Sequence, residues 1–130
     1  MGILTTHVLD TANGKPAAGV PIKLHRLEAM QDRPGAMPDR PEAMPVLLAS
    51  TLTNGDGRCN APLLQGAAFT SGQYTLTFRV ADYFRAQGLA LADPPFLDNI
   101  VIHFAIAATD QHYHVPLLVS PWSYSTYRGS

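Results

Sequence analysis

This chain predicts an all-β fold, an antiparallel β-sandwich. Three observations predict it. Apolar residues recur with period two in most segments. Turn dipeptides built on Gly, Asn, Asp and Pro separate those segments at short spacing. Only one stretch carries a helical pattern. With 130 residues the chain has room for one domain around a single core and too few residues for two.

Ile3 to Leu9 reads as the first strand, and Asn13-Gly14-Lys15-Pro16 as the turn that ends it. In the second strand Val20, Ile22 and Leu24 alternate with Pro21, Lys23 and His25. Val46 to Thr53 is the third. Asn54-Gly55 and Asp56-Gly57 then break the chain twice, as dipeptides suited to positive φ do. Tyr74, Leu76, Phe78 and Val80 alternate with Thr75, Thr77 and Arg79 in the clearest strand pattern. Ala81 to Gln87 reads as a short helix, with Gly88 placed to stop it in the left-handed conformation. Asp93-Pro94-Pro95 is a loop. Ile100, Ile102, Phe104 and Ile106 mark another alternating strand. His112 to Val119 and Trp122 to Tyr127 complete seven or eight strands, with Ser120-Pro121 turning between them.

One segment stands outside this scheme. Glu28-Ala-Met-Gln-Asp-Arg-Pro34 is followed by Gly35-Ala-Met-Pro-Asp-Arg-Pro41 and Glu42-Ala-Met-Pro45, a seven-residue repeat. Prolines 34, 38, 41 and 45 remove helix donors, so a coiled coil is excluded. The repeat reads as an insertion at about 28–45 in the hairpin between the second and third strands, within a single domain of 1–130.

The formal net charge of -1 argues against a nucleic-acid partner, which would leave a basic stripe, and against an electrostatic membrane patch. No apolar run reaches the length of a spanning helix. No charged region followed by an apolar run precedes the first strand, so no secretory leader is expected. Cys59 is the single cysteine, without metal-ligand spacing around it, and a reducing, cytoplasmic location is expected.

Period two also sorts the residues that carry chemistry. Leu4, Thr6 and Val8 share one strand face; Thr5, His7 and Leu9 share the other. If the first set faces the core, His7 faces out. Taken alone, that is an ordinary surface histidine. His112 and His114 project together from one face of a late strand. With His7 they raise a competing chemistry, zinc on three imidazoles, although no acidic residue sits at matching spacing. Arg58 ends the double turn, and Arg128 lies in the terminal Tyr127-Arg128-Gly129-Ser130. Each guanidinium is a planar fork of donors that stays charged, suited to a planar anionic ring rich in carbonyls.

Four stretches together resemble the transthyretin-related 5-hydroxyisourate hydrolases. They are Thr6-His7-Val8-Leu9-Asp10 with Gly14-Lys15-Pro16-Ala17, Thr53-Asn54-Gly55-Asp56-Gly57-Arg58, His112-Tyr113-His114-Val115-Pro116-Leu117-Leu118, and the terminal Tyr127-Arg128-Gly129-Ser130. They stand in the family's order from end to end. Hormone-carrying transthyretins share the fold but lack that ending and these histidines.

The resemblance implies a sandwich of two four-stranded sheets with one short helix. It implies hydrolysis of 5-hydroxyisourate to 2-oxo-4-hydroxy-4-carboxy-5-ureidoimidazoline in urate degradation, without metal or cofactor. His7, Arg58 and His114 become the expected catalytic residues, with His112 a secondary candidate. Tyr127, Arg128, Gly129 and Ser130, with His7 and Arg58, become the expected substrate contacts. The resemblance also implies a homotetramer, a dimer of dimers. The alternative is a transthyretin-like module that binds a small ligand without catalysis.

Overall fold

The computed structural model describes residues 2–29 and 43–130. The strands are β1 (Leu4–Thr5), β2 (Val8–Asp10), β3 (Lys15–Pro16), β4 (Pro21–Ala29), β5 (Ala43–Leu52), β6 (Gly72–Arg79), β7 (Asn99–Ile106), β8 (Tyr113–His114), β9 (Leu117–Val119) and β10 (Tyr124–Ser125). A 3-10 turn covers Gly66–Ala68, and the helix α1 covers Ala81–Ala86. Gly88 follows the helix at φ 88°, the left-handed stop its position predicts.

Two four-stranded sheets form, ordered β10-β9-β2-β3 and β5-β4-β6-β7, with β1 and β8 paired as a short extension. Alternate residues of both sheets meet in one core. Leu4, Val8, Leu117 and Val119 come from the first sheet and its extension, with Val115 between β8 and β9. Ile22, Leu24, Tyr74, Leu76, Phe78, Ile100, Ile102 and Ile106 come from the second. The buried Asp10 carboxylate ties these layers to the helix. It accepts from the Ala12 and Asn13 backbones, the Asn13 amide and the Tyr83 hydroxyl of α1. Burial alone would raise the Asp10 pKa; those four donors outweigh it and hold the carboxyl below its ordinary value.

Several boundaries differ from the sequence reading. The first strand, expected as Ile3 to Leu9, divides at Thr6. There the Thr6 hydroxyl donates to the Val115 carbonyl at 2.7 Å and interrupts the ladder. The two pieces keep one register against the late strand, Leu4 opposite Tyr113 and Val8 opposite Leu117, and this pairing is parallel. The late strand, expected unbroken from His112 to Val119, divides at Val115-Pro116. Pro116 has no N–H for its other neighbour, the terminal segment. Thr126 bridges the gap by donating its hydroxyl to the Pro116 carbonyl at 2.7 Å, and pairing resumes between His114 and Gly129. The last strand therefore shortens from Trp122–Tyr127 to Tyr124–Ser125.

The hairpin of β4 and β5 is longer than expected. It pairs Glu28 with Met44 and Ala29 with Ala43, with an irregularity between Leu24 and His25. The ends of the segment assigned to the insertion are thus paired strand; residues 30–42 lie outside the described residues. Pro45 is tolerated because β5 is an edge strand.

Candidate active site

The outer face of the first sheet and its extension gathers three of the five histidines. Leu4, Thr6 and Val8 are buried, so Thr5 and His7 between them point away from the core. Tyr113 and Val115 are buried in the same way, which turns His112 and His114 outward. His7 stands opposite Arg58 in an antiparallel bridge, and His114 stands opposite Thr5 on one side and Gly129 on the other. Because Thr5 and His7 are two apart on one strand, His114 lies diagonal to the His7–Arg58 pair.

The Arg58 loop is built by local hydrogen bonds. The Asn54 side-chain oxygen accepts from the Asp56 and Arg58 backbones, and the Asn54 N–H donates to the Arg58 carbonyl at 2.7 Å. Gly57 sits at φ 74°, and a Cβ there would collide with the Val8 carbonyl. Its own carbonyl accepts from the Val8 N–H at 2.8 Å, which docks the loop on β2.

Two contacts orient the imidazoles. His7 Nε2 lies 2.8 Å from the Asp56 carbonyl, which can only accept, so Nε2 carries a proton, and in the neutral ring the lone pair is on Nδ1. His114 Nδ1 lies 2.8 Å from Thr5 Oγ1. Gly129 packs on that ring: a Cβ at Gly129 would lie 3.2 Å from His114 Cδ2. Burial, then the Arg58 guanidinium, then His7, hold His114 below the ordinary imidazole pKa. A neutral imidazole beside a fixed cation can take a proton while the cation stabilises an oxyanion.

The family model described as HIUase/Transthyretin family matches residues 4–129. The chain belongs to the HIUase/Transthyretin family. A 5-hydroxyisourate hydrolase of Pseudomonas aeruginosa is 53% identical over 130 residues, all of this chain and 93% of that protein. The crystal structure of an (S)-allantoin synthase matches with TM-score 0.84 and 49% identity over 99% of this chain; the chain spans 44% of that longer protein. The Klebsiella pneumoniae 5-hydroxyisourate hydrolase matches with TM-score 0.71 and 33% identity over all of both chains.

Other expected site residues of this HIUase/Transthyretin family chain lie elsewhere. His112 is exposed, and its Nδ1 accepts from the Ile3 N–H at 3.1 Å. Arg128 turns away from the His7–Arg58 pair. It donates to the Gln111 side chain at 3.0 Å and the His112 carbonyl at 3.3 Å, with its guanidinium 4.3 Å from the Tyr113 ring centroid. With Tyr127, Tyr113, Val115 and Phe104 it lines a separate cavity of about 310 Å³. Of the terminal tetrapeptide, Gly129 alone pairs with His114; Ser130 beyond it is exposed. Among the described residues, no three His, Cys, Asp or Glu side chains gather as a metal ion would need. No described helix is long and apolar enough to cross a membrane.

The sequence reading missed the contacts made by Thr5, Asp56 and Asn54. Thr5 was signalled by period two, which put it on the His7 face. The roles of the Asp56 carbonyl and the Asn54 amide depend on how the loop closes. Cys59 lines a small cavity of about 110 Å³ with Thr5, Thr6, Arg58 and Ala61, and burial raises its thiol pKa.

Proposed function

We propose that this chain hydrolyses 5-hydroxyisourate to 2-oxo-4-hydroxy-4-carboxy-5-ureidoimidazoline. The observation that carries the reading is the convergence of His7, Arg58 and His114 on one outer sheet face. The relatives named 5-hydroxyisourate hydrolase supply the substrate. His114, kept neutral by its surroundings, takes a proton from water. The water oxygen bonds to the ring carbonyl carbon, and Arg58 stabilises the oxyanion. The carbonyl reforms as the ring C–N bond breaks, and the proton passes to the leaving nitrogen. His7, held through Nε2–H, offers Nδ1 to a substrate N–H or to the travelling proton.

An ultraviolet assay on freshly generated 5-hydroxyisourate tests this, run with and without a chelator. Fast decay that survives chelation is expected. Decay abolished by chelation would revive a three-histidine metal site. No acceleration over the spontaneous background would overturn the hydrolase in favour of a small-ligand carrier.

In this reading four copies assemble as a dimer of dimers, because a site on an open sheet face needs a second wall. Tyr127, Arg128, Gly129 and Ser130 serve as substrate contacts that close the site in that assembly. Trp122, Tyr124 and Tyr127, 66%, 46% and 59% exposed, provide apolar surface for such contacts. Sedimentation should give the mass of four chains; a monomer mass would sink the assembly. A cytoplasmic location completes the reading, since a lone Cys59 suits a reducing compartment.

A further inference from the structure

We propose that Thr5 is the positioning residue that sets the tautomer of His114, its hydroxyl accepting from Nδ1–H so that Nε2 presents a lone pair to the attacking water. The proposal rests on the hydrolase reading above. The contact is 2.8 Å long and joins residues directly opposite in a parallel pair, so strand backbone holds both ends. Thr5 is β-branched, which restricts its χ1 and keeps the hydroxyl aimed at the ring. Across the ring, Gly129 pairs with the same residue: its N–H donates to the His114 carbonyl at 2.7 Å, and a Cβ there would press on the ring at 3.2 Å from Cδ2.

The chemistry selects the direction of the bond. A hydroxyl can donate or accept, so distance alone leaves both tautomers open. With Nδ1 engaged by Thr5, only Nε2 remains for water. Nε2 acts as a base only if the imidazole proton sits on Nδ1, the form that free histidine disfavours. Thr5 offsets that intrinsic preference. At His7 the partner is a carbonyl and the outcome is opposite, with Nε2 protonated. Two imidazoles on one sheet face thus hold their protons on different nitrogens because their partners differ in kind.

The test compares Thr5→Val, of nearly the same shape, with Thr5→Ser, which keeps the hydroxyl. Thr5→Val should lower kcat by up to about 10-fold, the scale of one lost neutral hydrogen bond, with KM little changed. Thr5→Ser should recover most of the loss. Nitrogen-15 spectra of the ring give a readout independent of activity. The pyridine-like nitrogen of His114 should be Nε2 in the wild type and shift toward Nδ1 in Thr5→Val. A wild type with its pyridine-like nitrogen at Nδ1, or a Thr5→Val variant with unchanged kcat and tautomer, would overturn the proposal. A wild type that leaves 5-hydroxyisourate untouched would instead remove the hydrolase reading, and the ring spectra would still decide the role of Thr5.

Discussion

Changing His114 to Asn should lower 5-hydroxyisourate turnover by about 10²–10⁴-fold, the range a positioned acid–base group supplies. Asn keeps a polar group of similar reach but cannot take a proton from water. The fold should survive, since the side chain is half-buried on an outer face and the two backbone bonds to Gly129 do not involve it. His7→Asn should lose activity on the same scale, through the other imidazole of the pair. Steady-state kinetics, with a thermal melt to confirm folding, check both. Two folded variants with near-wild-type turnover would end the assignment of either histidine as a proton carrier.

Arg58→Gln should cost about 10²–10³-fold in kcat, as losing one oxyanion donor does. It should also move a titration. The guanidinium disfavours the imidazolium, so it lowers the His114 pKa alongside burial and His7. Removing it raises that pKa toward the ordinary imidazole value. The acid limb of the kcat/KM profile, on which His114 must lose its proton, should therefore move to higher pH. The NMR titration midpoint of His114 should rise with it. The loop should persist, because its bonds to Asn54 use the Arg58 backbone. An unchanged midpoint would show that Arg58 does not act on His114 through space; an unchanged kcat would remove its role at the oxyanion.

Much of this architecture was legible because it is local. Alternation in Ile3–Leu9 already put His7 opposite in facing to Leu4 and Val8, and burial agrees. Asn54-Gly55-Asp56-Gly57 was legible as a turn presenting Arg58, because side-chain capping and positive φ are short-range effects. The strand break at Thr6 was not legible, because it depends on a partner far along the chain, Val115. The break at Pro116 follows from the missing N–H of a proline that the sequence displays, and only its bridging by Thr126 needed the fold.

The amino-acid sequence by itself determined the sandwich, the facing of His7 away from Leu4, Thr6 and Val8, the shared face of His112 and His114, and the family to which the chain belongs. Period two and turn chemistry are properties of neighbouring residues, so they survive without a partner. Tertiary structure alone decided which outward groups meet. The parallel register that sets Thr5 beside His114, and the bridge that sets Arg58 beside His7, join segments far apart in sequence. It also decided that Arg128 reaches Gln111, the His112 carbonyl and Tyr113 within one chain instead of the imidazoles of His7 and His114. A strand pattern tells which face a side chain takes. The neighbour on that face, and the nitrogen that holds its proton, follow from the register of strands and the close contacts it creates.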